Sequence, residues 1–253
     1  MSVLVTRPGK DGEALCQMLK RQGIDSFHHP LIQLEQGAGY TTLPDDIQHC
    51  DIIIAVSQHA VHWAQHCLHN HHINFPQHTT YFAIGEKTAR TLEKHIKKEV
   101  ISPLISDSEH LLDLPALKLV KNKRILILRG NGGRELIYQA LQQRGAQVHY
   151  NEIYHRKPCP VDDLTIWSHW KTSGIKHIVI TSGEQLDHLL KQTPNQYLDW
   201  LKQLNLYIPS QRIKQQAEKV GFSHIINTGS AANPILLDYL SGKFITGQQH
   251  DRQ

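Results

Sequence analysis

The sequence predicts an α/β protein built from two copies of one unit, each a parallel sheet flanked by helices. Three observations carry this. Short β-branched runs alternate with longer amphipathic segments along the whole chain, as parallel α/β sheets require. The second half repeats the first at a nearly constant step. The ends of the apolar runs carry the same small, hydroxylated and glycine residues again and again.

Read in order, strands are expected at residues 3–6, 52–56, 81–84, 100–102, 125–128, 178–181, 206–208 and 225–227, each a short apolar run closed by turn-forming residues. Helices are expected at 13–22, 87–97, 135–144 and 212–220. Leu136, Ile137, Ala140 and Leu141 fall on one helical face, and Gly145 follows as a helix-ending residue.

The repeat is visible residue by residue. Val3-Leu4-Val5-Thr6-Arg7 is echoed by Leu126-Ile127-Leu128-Arg129-Gly130, and each Arg is followed sixteen residues later by a glycine, Gly23 and Gly145. Ser57 and Ser182 lie 125 residues apart, as do Gly85 and Ser210, each ending a matching strand. Ser106-Asp107-Ser108 and Ser230-Ala231-Ala232 follow at a step of 124. Two ways of cutting the chain remain open from the repeat alone. One is a tandem division near residue 123. The other uses the long extended segments 27–36 and 148–157 as crossings, so that 37–147 is inserted into the rest.

Composition narrows the function. The 253 residues are 40% hydrophobic and 20% charged, the balance of a globular protein rather than a disordered one. No apolar run approaches the roughly 20 residues that cross a bilayer, and the N-terminus reads as a first strand rather than a secretory leader. The four cysteines are far apart, which argues against a disulfide framework or zinc ribbon and for reduced thiols. The 27 basic and 23 acidic residues give a small, dispersed positive excess, suited to a small anion and not to nucleic acid. His66, His69, His71 and His72 are read as a solvated helix end, without the spacing of a metal site.

In open parallel sheets, ligands bind beyond the carboxyl ends of the strands. Here those ends hold Thr6-Arg7, Ser57-Gln58, Gly85 with Lys87 and Thr88, Arg129-Gly130-Asn131, Ser182-Gly183, Ser210-Gln211-Arg212 and Thr228-Gly229-Ser230. Ser, Thr and Asn cap helices, glycine admits close approach, and free N–H groups at a helix start attract anions. Each turn alone is also an ordinary helix cap. Together they point to a cleft rich in donors, suited to a polyanion. Few carboxylates stand at the strand ends, so paired-acid catalysis is not expected. Gly130-x-Gly132 is an incomplete dinucleotide fingerprint, with Glu135 where the third small residue belongs.

The chain resembles the uroporphyrinogen-III synthases. The resemblance is carried by residues 3–8, 51–61, 83–92, 125–154, 178–189 and 208–233. Its most specific part is Leu126-Ile127-Leu128-Arg129-Gly130-Asn131-Gly132-Gly133-Arg134-Glu135, followed by Gly145-Ala146-x-Val148 and Glu152-Ile153-Tyr154-x-Arg156. Val56 stands where the family often has Thr before the serine. The resemblance implies two flavodoxin-like domains, 1–30 with 158–253 and an inserted 37–148, joined by a two-stranded linker at 31–36 and 149–157. It implies a cofactor-free, metal-free, cytoplasmic monomer that closes hydroxymethylbilane into uroporphyrinogen III, with loss of water and inversion of the last ring. Tyr154 matches the family's linker tyrosine and is the expected proton donor; a packed aromatic with a wet hydroxyl is the other reading. The strand-end residues given above, from Thr6 to Ser230, are the expected holders of the substrate's carboxylates.

Overall fold

The computed structural model describes residues 2–161 and 163–243. In chain order the strands are β1 (Ser2–Val5), β2 (Asp25–His28), β3 (Ile32–Gln36), β4 (Ile52–Ala55), β5 (Thr80–Ala83), β6 (Arg124–Gly130), β7 (Gln147–Pro158), β8 (Ile175–Val179), β9 (Asn205–Ile208) and β10 (His224–Asn227). The helices are α1 (Gly9–Arg21), α2 (Leu43–Asp46), α3 (Gln58–Asn70), α4 (Glu86–Ile96), α5 (Ser108–Asp113), α6 (Pro115–Lys118), α7 (Leu136–Gln143), α8 (Thr165–Thr172), α9 (Gly183–Gln192), α10 (Asn195–Lys202), α11 (Gln211–Lys219) and α12 (Asn233–Leu240). Two compact units result, one from residues 1–34 and 157–253, the other from 35–156.

The first unit carries the sheet β10-β9-β8-β1-β2, parallel throughout. Numbered within the unit, that order is 2-1-3-4-5, the flavodoxin-like arrangement. Side chains alternate across it, as a strand's two-residue period demands. Leu4, Ile178, Leu206 and Ile208 face Trp167, Trp170, Leu186 and Leu201 on one side. Val3, Val5 and Val179 face Leu15, Leu19, Leu236 and Leu240 on the other. Both faces are covered, which is why these strands read as unbroken apolar runs.

The second unit carries the order β3-β7-β6-β4-β5, with β7, β6, β4 and β5 mutually parallel. Ile52, Ile54, Ile125, Ile127 and Val148 pack on Leu111, Leu112, Leu117, Ile137 and Leu141. The opposite face, with Ile53, Ala55, Leu126 and Leu128, is equally buried, and α3 and α4 lie against it. Here β6 and β7 occupy the places that β1 and β2 hold in the first unit, and β4 and β5 match β8 and β9. Each sheet thus combines strands from both halves of the repeat.

The structure departs from sequence expectation in two places. The extended run 27–36 is two strands, broken at Pro30, which has no N–H for a ladder. β2 joins the first unit's sheet and β3 pairs beside β7. Hydrogen bonds from Gly37 N to Ile153 O and from Cys159 N to Leu31 O bracket that second pairing. The expected strand at 100–102 shrinks to a single bridge between Ile101 and Phe82, because Pro103 stops the run. Four further helices, α8, α9, α10 and α12, complete the first unit. The histidine cluster behaves as the sequence indicates: His66 and His69 lie in the last turns of α3, His71 and His72 follow it, and all four are exposed.

Candidate functional site

The direction of strand succession reverses between β1 and β8 in the first unit's 2-1-3-4-5 order, and between β6 and β4 in the second unit's sheet, where α/β proteins place their ligands. The second unit is the better furnished. β4 gives way to Ser57, whose extended backbone caps α3 and whose Oγ accepts a hydrogen bond from Ala60 N at 3.0 Å. The same Oγ lies 3.2 Å from the phenol oxygen of Tyr154. Tyr154 reaches it because of a β-bulge. Arg129 pairs with Glu152, but the next residue, Gly130, pairs with Tyr154, so Ile153 is skipped. That slip turns the tyrosine ring onto Gly130, where a β-carbon would come within 2.5 Å of the ring. His59 packs edge-on to the same ring at 6.0 Å.

Arg129 belongs to the opposite side of this sheet end. It is only 4% exposed, and its guanidinium carbon sits 4.2 Å over the Tyr150 ring. Its Nε donates to Gly130 O at 3.1 Å and its Nη1 to Glu135 Oε1 at 3.1 Å. The Tyr150 hydroxyl donates to the other Glu135 oxygen at 2.8 Å. That hydrogen bond, aided by Arg129, holds the Glu135 carboxyl below the usual range; burial and the same partner raise the Tyr150 phenol. Above this group opens a pocket of about 190 Å³, whose walls include Ser108, Gly132, Gly133, Arg134 and Tyr150.

The remaining expected site residues divide by what their polar atoms already do. Asn131 is consumed by the chain itself. Its N–H donates to Tyr154 O, its Oδ1 accepts from Arg156 N at 2.7 Å, and its Nδ2 donates to Arg156 O, extending β6 by one rung. Thr6 is fully buried, and its hydroxyl donates to Val179 O at 2.7 Å. Thr228 donates to Ile208 O and Ser230 O, while Ser230 Oγ accepts from Ala232 N. These hydroxyls and this amide are bound internally. Ser182 caps α9 through Gln185 N at 3.2 Å, and Gly183 packs against Gln216. Arg7 donates to Ala231 O, Asn233 and Asp11; burial draws its guanidinium below the usual value, partly offset by Asp11. Gly85, at the start of α4, admits the close approach of Ser106. Lys87, Gln211 and Arg212 are exposed in the first turns of α4 and α11, with Ser210 and buried Thr88 beside them. Gln58 accepts from Thr91. Gly229 adopts the left-handed backbone region at φ +68°.

Tyr150 carried no sequence signal, and Glu135 stood out only as the residue that breaks the glycine fingerprint. The expectation of few carboxylates holds for the strand ends proper, but α5 and the turn before α7 bring in Glu109 and Glu135, each held by an arginine. No group of ligating side chains suited to a metal ion occurs among the described residues.

A family model described as uroporphyrinogen-III synthase HemD matches residues 13–233. The chain belongs to the uroporphyrinogen-III synthase family. It is 38% identical over 242 residues to the uroporphyrinogen-III synthase of Escherichia coli strain K12, covering 94% of this chain and 98% of that one. The synthase of Salmonella typhimurium is 39% identical with the same coverage. Among solved structures, a uroporphyrinogen III synthase mutant from the extremely thermophilic bacterium Thermus thermophilus superposes with a TM-score of 0.65 at 15% identity, covering 95% of this chain and 97% of that one. The Helicobacter pylori 26695 enzyme gives 0.61 at 17% identity, with 95% and 98% covered. The family's fold of two similar α/β domains is therefore the fold of this chain.

Proposed function

We propose that this chain closes linear hydroxymethylbilane into uroporphyrinogen III, releasing one water and inverting the last pyrrole ring. The observation that carries this reading is the Tyr154 phenol. A β-bulge aims it at the carboxyl end of β6, and it meets Ser57 Oγ at 3.2 Å. Tyr154 donates a proton to the terminal hydroxyl, which departs as water, and the pyrrole nitrogen's electrons carry the resulting azafulvene cation. The substituted carbon of the last ring attacks that cation to give a spiro intermediate. The intermediate fragments and recloses at the neighbouring position, and the proton lost on rearomatisation returns to the phenolate.

In the second unit the carboxylate holders are the N–H groups that open α3 and α4, the Ser57 turn, Lys87 and Arg129; the first unit offers the N–H groups that open α9 and α11, the Ser182 and Ser210 turns, Arg7 and Arg212. Ionised acceptors strengthen each such bond. Positioning supplies most of the catalysis, because closure without inversion competes at every turnover. On this reading the protein works without cofactor or metal, as a cytoplasmic monomer, with neither nucleic acid nor membrane as partner. In keeping with this, its charge is dispersed, and no helix among the described residues is long and apolar enough to cross a membrane.

Freshly prepared hydroxymethylbilane tests the reading. The chain should yield type III uroporphyrinogen in excess over type I. Type I alone would overturn it.

A further inference from the structure

The pocket in the second unit contains two arginines, and each already holds a carboxylate of the protein itself. Arg134 pairs with Glu109 on the surface, with side chains 62% and 50% exposed, so water and salt screen that pair. Arg129 pairs with Glu135 in a different setting. The arginine side chain is 5% exposed and the glutamate 50%, so a buried cation faces a carboxylate that can leave for solvent. Arg129 cannot be left alone at that depth, because an unpaired buried charge is costly. Its Nη2 lies beside Gly133, on the pocket wall. Gly132 and Gly133 have φ of +71° and +119°, values that glycine adopts freely, and they bring bare backbone to the pocket mouth. Glu135 occupies the N-cap position of α7 yet makes no side-chain cap bond; its carboxylate turns away to Arg129 and Tyr150.

We propose that Glu135 is a displaceable internal ligand of Arg129. It holds the guanidinium in the free protein and yields that place to one carboxylate of the substrate, making this pocket a single-carboxylate subsite and Glu135 a residue that sets its affinity. The assignment of the incoming carboxylate to the bilane rests on the function proposed above. The pocket's size agrees with one propionate-length arm. Tyr150 contributes whichever carboxylate is bound, since its hydroxyl donates and its ring face stacks on the guanidinium.

The test is Glu135→Gln, which keeps an acceptor for Tyr150 and Arg129 but removes the competing charge. Two readouts are taken. Steady-state turnover of hydroxymethylbilane separates kcat from KM, and sodium propionate is titrated while the amide resonances of Gly132 and Gly133 are followed. The expected result is a KM and a propionate Kd each lowered by roughly fivefold, the factor that about 1 kcal/mol of lost competition gives, with kcat within about twofold of the parent. Arg129→Met should abolish the propionate shifts. Should neither chain turn over the bilane, the function proposed above fails, while tighter propionate binding in Glu135→Gln still supports the subsite. Propionate binding that is absent, or that is unchanged in the variant, overturns the subsite whatever the turnover.

Discussion

Gly130→Ala is the most informative single substitution in the proposed site. A β-carbon there would lie 2.5 Å from Cζ, 2.6 Å from Cε2 and 2.9 Å from the hydroxyl oxygen of Tyr154. All three distances are below contact range, and the ring belongs to a buried residue on a paired strand, so the ring must move. Overpacking of this kind costs about 1–3 kcal/mol. Gly130 has no left-handed backbone, so alanine also stiffens the unfolded chain and returns about 0.4–1 kcal/mol. The net loss is about 0–2.5 kcal/mol, a fall in Tm of up to roughly 10 °C. Turnover is far more sensitive, because displacing a reacting group by about 1 Å can cost about 100-fold. Type III formation from hydroxymethylbilane and thermal unfolding should therefore separate, with a modest Tm fall beside a drop in kcat of about two orders of magnitude. In a Tyr154→Ala background the same glycine substitution should cost almost nothing further, since the ring it strikes is gone. An equally active Gly130→Ala enzyme with an unchanged Tm would refute the seating of Tyr154 on Gly130.

Two further outcomes follow from the geometry. Thr6→Val should lower stability by about 1–2 kcal/mol, the loss expected when a buried bond such as that to Val179 O is broken, yet leave KM for the bilane unchanged; a raised KM with normal stability would return Thr6 to the binding site. Acidification should destabilise the fold in two stages. Burial holds the His29 and His177 imidazoles below the ordinary histidine value, so between that lowered value and about 6.5 the unfolded chain binds more protons than the native one, and stability falls as pH drops through that window. Asp51, kept low chiefly by the Arg124 N–H at 2.8 Å, adds a second loss as pH falls on through the carboxylate range. Urea denaturation at pH 7.5, 5.5 and 4 measures both, and His177→Gln should flatten the first stage; a pH-independent midpoint above pH 5 would contradict it.

What the sequence revealed follows the physics of each feature. Ile52–Ala55 and the core of β6 were legible because a strand buried on both faces must be apolar at every position. Ser57 and Ser182 were legible as caps because an extended residue before a helix needs a side-chain acceptor, and both supply one. The internal use of Thr6, Asn131 and Thr228 was not legible, since a buried and a ligand-facing polar side chain share one sequence signature. Nor was the bulge at Ile153, which depends on register between β6 and β7 rather than on any residue type. Glu135 stood in plain view as a misfit in a glycine-rich turn. Its meaning came only from Arg129, six residues earlier, and Tyr150, fifteen later, which the fold brings onto one carboxylate. Pro30 and Pro103 marked the two strand breaks, but which sheet each flanking piece joins is a tertiary choice.

The proposed reaction requires that the Tyr154 phenol take part in the chemistry. Phenylalanine at that position keeps the ring on Gly130 and removes only the hydroxyl beside Ser57, which retains its bond from Ala60 N. Stability should then fall by at most about 1.5 kcal/mol. Single-turnover conversion of hydroxymethylbilane by Tyr154→Phe should slow by about 100-fold or more. Conversion at the parent rate, with type III still the product, would contradict the account at its centre.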